Sequence, residues 1–248
     1  MNKTVVVVVA LLAVSSGFAT DYTWNGGSGS FQTDSKWTPT GVPGSADNAK
    51  FTTAGTYGVS FAGDTANVST TVGAGVDVTF NLGDHTWQLT NTLPLSFPAT
   101  GSAVARFGGG TLDLAQTNTA AYNTANPVPG SNQKLVLDSG TSFFRGLAGT
   151  TSGGAIEVNG GTHSFLSGLD LKDAPAGGAS LRMTNGIVTI DTLLPRGNRL
   201  VLNTGTAKIS LEGGTLVSKA IFDVYGGAVV DVYTNATFDN RSGRFYFG

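Results

Sequence analysis

Seven carboxylates, Asp138, Glu157, Asp170, Asp191, Glu212, Asp223 and Asp231, fall on polar positions of short alternating segments in a 248-residue chain. Acids on one face of stacked strands suit polysaccharide cleavage, because two carboxyl groups about 5–10 Å apart can protonate and attack a glycosidic bond. Lys134, Lys172, Arg182 and Lys208 are interspersed on similar positions. The same residues therefore also fit an ordinary charge-mixed strand surface, which adds solubility and blunts edges. No acid is singled out as catalytic by this pattern. His85 and His163 have no HxxH, HExxH or HxH companion, so imidazole metal ligation has no support. His163 is expected on the surface of a strand. No GxSxG elbow exposes a serine nucleophile. The string GGTLDL at 109–114 lacks the second glycine pair of a calcium-binding repeat. Neither a metal nor a cofactor is expected. Trp24, Trp37 and Trp87 are the candidate ligand-binding residues, since an indole offers a sugar ring a flat apolar face with a polar edge. Burial in a core is the competing account of such large aromatics.

Composition narrows the field further. The chain holds 36 glycines, about twice the usual ~7 % share, and its 12 % charged residues are about half the norm. Glutamate occurs only at Glu157 and Glu212. So little Glu and Lys beside so much Gly, Thr and Val disfavours helices. The net charge is −2, and no basic stripe exists to neutralise phosphates, so nucleic acid is not an expected partner. There is no cysteine, which excludes disulfides and thiol chemistry.

The chain opens MNKTVVVVVALLAVSSGFAT, with Lys3 before an apolar run from Val5 to Val14 and small residues at Gly17 and Ala19. That is the anatomy of a secretory signal peptide, expected over residues 1–19. Ten apolar residues rise only about 15 Å as a helix, half a bilayer core. No later segment is long and apolar enough for a membrane helix, and the mature chain is expected outside the cell or on its surface.

Beyond the signal, alternation dominates. In VDVTFNL, Val76, Val78, Phe80 and Leu82 share one face, and Asp77, Thr79 and Asn81 the other. From residue 103 an apolar residue is followed three positions later by glycine: Phe107/Gly110, Leu137/Gly140, Val158/Gly161, Met183/Gly186, Leu202/Gly205, Leu211/Gly214 and Val224/Gly227. Glycine at a recurring place marks a tight corner or a positive φ. Several spacings approach the ~20–30 residues of one solenoid coil. The shortest gaps, and turns such as TNG and GGT, suit β-hairpins. The fold class is thus all-β: a parallel β-solenoid on period, an antiparallel β-sandwich or barrel on turn chemistry. Residues 20–62, where Trp24, Phe31, Trp37, Phe51, Tyr57 and Phe61 concentrate, are expected to cap the apolar end of such a solenoid. Residues 63–248 would form the repeat region, with a seam at 117–133.

The segment YTWNGGSGSFQTDSKWTPTGVPGSADNAKF resembles the opening module of exported bacterial proteins with autotransporter-associated β-strand repeats. The matching positions are Trp24, Gly26, Phe31, Trp37, Pro43, Asp47 and Phe51; GGTL at 109–112 and 213–216 resembles their repeat units. The resemblance implies a right-handed parallel β-helix displayed on, or shed from, a Gram-negative-type surface, and it brings no catalytic residues. The expected function is a non-enzymatic structural or adhesion module meeting polysaccharide or other cell-surface components. A carbohydrate-active β-helix, lyase or glycosidase, and a tryptophan-centred sugar-binding module are the alternatives.

Overall fold

The computed structural model describes residues 19–91, 93–114, 129–146, 148–150, 153–172, 178–191, 199–203, 206–242 and 244–247. The signal segment but for its last residue, and the expected seam but for 129–133, lie outside these. Strands β1 (Asp21–Trp24) and β2 (Gly29–Ser30) come first, and β3 (Trp37–Thr38) follows a 3-10 turn at Asp34–Lys36. The first full rung is β4 (Asn48–Phe51), β5 (Gly55–Ser60) and β6 (Thr65–Asn67). Next come β7 (Ser69–Val72) with β8 (Val76–Leu89), then β9 (Leu95–Ser96) with β10 (Ala103–Leu114). After β11 (Gln133–Leu137) and β12 (Thr141–Phe144), rungs repeat as β13 (Ala148–Thr150), β14 (Ala155–Val158) and β15 (Thr162–Phe165). They continue as β16 (Leu169–Lys172), β17 (Ser180–Met183), β18 (Ile187–Ile190), then β19 (Arg199–Asn203), β20 (Lys208–Leu211), β21 (Gly214–Ser218). The last are β22 (Ile221–Val224), β23 (Val229–Val232), β24 (Ala236–Asn240) and β25 (Phe245–Phe247).

Neighbouring strands run parallel. One ladder joins β5, β8, β10, β11, β14, β17, β20 and β23; a second joins β6, β8, β10, β12, β15, β18, β21 and β24. The third position in the path is taken by β1, β4, β7 and β9, and later by β13, β16, β19, β22 and β25. The chain is a β-solenoid of about seven turns, and the sandwich and barrel alternatives fall. Among the described residues β3 on β1 is the one antiparallel pairing.

Period-2 alternation fills the interior. Val78, Ala105, Leu135, Ile156, Leu181 and Ile209 stack in register in one buried column, and Phe80, Phe107, Leu137, Val158, Met183 and Leu211 in the next. Burying each such larger side chain contributes about 1.5–3 kcal/mol before the entropy of ordering it is counted.

The glycine corner joins the first ladder to the second within a rung. From Leu137 to Thr141, Val158 to Thr162, Met183 to Ile187 and Leu211 to Thr215 the step is constant, and each pair of ends is in register with the next rung. The corners also stack: Thr162 N–H donates to the Gly140 carbonyl at 2.9 Å, Ile187 to Gly161 at 2.8 Å and Thr215 to Gly186 at 2.9 Å. Gly227 lies instead between β22 and β23, on a different corner of the rung, and Gly205 lies outside the described residues. Gly214 and Gly227 thus belong to different corners that share one local pattern, which is why the 13 residues between them are too few for a coil.

Aromatic packing closes the end where the described chain begins. Trp24 and Trp37 meet edge-on at 5.0 Å, Phe31 and Trp37 at 4.9 Å, and Phe51 and Phe80 at 4.8 Å. Stacking continues to Phe107, 5.0 Å from Phe80. Within the aromatic block, β4 and β5 already lie in register under β7 and β8, so regular coiling starts before residue 62. The far end differs: Val229, Val232, Tyr233 and Tyr246 are 45 %, 48 %, 52 % and 54 % exposed.

Candidate functional site

The outward positions of the rungs hold the charged residues, and register decides what they meet. Lys134 Nζ is 2.6 Å from Glu157 Oε1 on the next rung. Arg182 forks onto Glu212, Nε to Oε1 at 2.8 Å and Nη2 to Oε2 at 2.6 Å. Lys208 meets Asp231 at 2.7 Å, and Lys219 meets Asp191 at 2.7 Å. Arg145 binds Asp113 through two bonds of 2.8 and 2.9 Å. Asp138 accepts a bond from Asn159 at 2.7 Å. These contacts tie one rung to the next, so Asp138, Glu157, Asp191, Glu212 and Asp231 serve inter-rung pairing. Asp170 and Asp223 share an outward column with Val201 between them, Asp170 partly buried and Asp223 almost fully.

A glycosidase acid needs its pKa raised so that it keeps a proton near neutrality. Glu212 moves the other way: bonding from Arg182 holds its carboxyl below the usual range. Asp21 is likewise lowered, by its bonds from Lys50 and Asn48. The stability such a carboxylate contributes is present above its ordinary pKa and is lost as pH falls through the lowered one. Because the Arg182–Glu212 pair is exposed, Glu212→Gln should shift the Tm by no more than about 2 °C. That shift should shrink further in about 1 M salt, as differential scanning calorimetry would record.

The three tryptophans are not placed for sugar. Trp24, Trp37 and Trp87 are 0 %, 1 % and 0 % exposed. Their N–H groups are spent inside: Trp24 on the Gly27 carbonyl at 3.0 Å, Trp37 on the Phe31 carbonyl at 2.8 Å, Trp87 on Asn67 Oδ1 at 2.8 Å. Asn67 is itself buried and held by the Pro43 and Gly44 carbonyls. The expected stacking role is therefore corrected: with no indole face in solvent, none can take a pyranose ring. These residues build the core instead.

His163 also departs from expectation. It is fully buried on β15, with Nδ1 3.0 Å from Ser142 Oγ and Nε2 2.7 Å from the Gly160 carbonyl. Burial pushes its pKa down, opposed by the Gly160 carbonyl. Ser142 and His163 touch, yet both are closed to substrate, and the second imidazole nitrogen faces a carbonyl rather than a carboxylate, so this is no nucleophilic triad. A signal for it does lie in the sequence. The second residue after the corner glycine points inward in every register-matched rung: Leu112, Ser142, His163, Val188 and Leu216. Among the described residues no group of three or more His, Cys, Asp or Glu is arranged to hold a metal. No helix among them is long and apolar enough to cross a membrane. No protein-family model, curated protein or solved structure matches the chain.

Proposed function

We propose that this chain is an exported, non-enzymatic β-solenoid with a structural or adhesion-type role at a bacterial cell surface or outside the cell. What carries the reading is the pairing of the outer charges. Five of the seven carboxylates that could act on a glycosidic bond, Asp138, Glu157, Asp191, Glu212 and Asp231, are instead bound to cations or an amide of the adjacent rung. A solenoid of this kind offers a partner a long hydrated sheet of Thr, Ser and paired charges, suited to weak repeated contact with polysaccharide or other surface components. The signal-peptide anatomy of residues 1–19 supports export, and the likeness of residues 22–51 to autotransporter-associated repeat proteins supports the surface setting.

Two measurements test it. Protein recovered from outside the producing cell should begin at Thr20, and an intact Met1 terminus in that fraction overturns the export reading. On a polysaccharide array the purified chain should be retained without liberating reducing ends or unsaturated sugars. Catalytic release of either would establish the carbohydrate-active alternative.

A further inference from the structure

His163 is an ionisable ring in a column that is otherwise apolar apart from Ser142. The Gly160 carbonyl can only accept, so Nε2 carries the ring hydrogen, and Nδ1 is left to accept from the Ser142 hydroxyl. A neutral imidazole is fully satisfied by this pair, and a second proton would place a charge in the interior. Among the described residues the surroundings hold nothing to balance it. From β12 the ring meets Ser142 and has Phe144 nearby; from β18, Val188 and Ile190; from its own strand, Phe165. The buried positions of the other faces are Leu137, Val158 and Met183, and Ala148, Leu169 and Leu171. Of the charged groups on those strands, Lys134, Glu157, Arg182 and Asp170 stand on outward positions. Asp138, at the corner one rung back, is engaged with Asn159.

We propose that His163 is an acid-sensitive latch, and that its protonation loosens the β12–β15–β18 rungs while the aromatic rungs at the other end stay closed. The direction follows from linkage. An unfolded histidine titrates near 6.5, and burial places the folded ring lower. Between those two values the open state binds a proton that the closed state does not. Stability is therefore complete above the unfolded value and declines as pH falls through it, by up to about tenfold in the opening equilibrium per pH unit. It levels off below the folded pKa. The carboxyls of Glu212 and Asp21, held below the usual carboxylate range by their partners, titrate below this window, so their effect and that of the ring separate on the pH axis. A solenoid is suited to such a device because each rung contacts mainly its neighbours, and opening need not spread along the whole stack.

Hydrogen exchange of the full chain, read by mass spectrometry at pH 7.5 and 5.0 and corrected for intrinsic rates, tests the proposal. Peptides covering β12, β15 and β18 should lose protection at the lower pH, by at most about 30-fold for one histidine over the roughly 1.5 pH units below its unfolded value, and those covering β4, β5 and β7 should not. The double variant S142A/H163V, which matches the neighbouring Val188, should show no such pH dependence. Equal protection of the wild type at both pH values, or the same acid loss in the double variant, overturns the latch. Should the variant fail to fold, the imidazole resonance of the wild type decides. A ring that stays neutral until the rungs open upholds the proposal, and one that titrates near 6.5 with protection retained overturns it.

Discussion

Gly186→Ala should be a strongly damaging single-methyl addition, at about 3 kcal/mol of stability. Two independent causes add. Gly186 has φ +89°, a region that costs an L side chain about 1–2 kcal/mol. The added Cβ would also stand 2.8 Å from both the Gly160 carbon and the Gly161 oxygen of the rung below. Those are backbone atoms, and the corner is fixed from the other side by Thr215 N–H bonding to Gly186 O. No side chain can swing away to relieve the contact. At 2–4 °C per kcal/mol for a chain of this size, the Tm should fall by about 6–12 °C. The control is Gly63→Ala, where a Cβ meets nothing within 4 Å and φ is unremarkable; it should change stability by less than about 0.5 kcal/mol. Equal melting of the two variants by circular dichroism would mean that the corners are not stacked as described.

The same corner shows how far the sequence could be read. Alternation assigned inward residues correctly, because a pleated strand leaves no choice of face: Val76, Val78, Phe80 and Leu82 are all buried. Turn chemistry could not separate hairpin from coil, since a positive-φ glycine serves both. Period could, but insertions elsewhere in the rung blur it: Ser142 and His163 stand 21 residues apart, Asn159 and Thr184 25. The strings LVLDSGT at 135–141 and LVLNTGT at 200–206 are alike without taking the same place in a rung, because Leu135 to Leu137 lie on β11 and Leu200 to Leu202 on β19, strands of different ladders. The tryptophans were ambiguous for a related reason. An indole in a sugar site and an indole in a core have the same local sequence, and only the register that sets Trp87 beside Leu112 shows which it is. Ion pairs such as Arg145–Asp113, 32 residues apart, become visible only once the rungs are aligned.

Leu202→Asp carries the second large expectation and bears on what kind of object the solenoid is. Leu202 is fully buried on β19, in register with Leu171 below and Val224 above. Among the described residues no cation stands inside to meet an aspartate there, and the cost of several kcal/mol or more approaches the whole stability of an ordinary domain. Thr162→Asp, on an exposed outward position of β15, should by contrast be tolerated to within about 0.5 kcal/mol. In a globular core the buried charge would unfold everything together. In a stack where each rung contacts mainly its neighbours, damage at β19 should melt the rungs around it and leave the distant ones standing. The aromatic rungs from Trp24 to Phe107 have their own continuous packing and should survive. Limited proteolysis of Leu202→Asp should therefore release a resistant fragment from the amino-terminal side, beside a broadened or split thermal transition. Complete digestion with one cooperative melt would show the rungs to be coupled end to end, and unchanged melting would remove β19 from the core altogether.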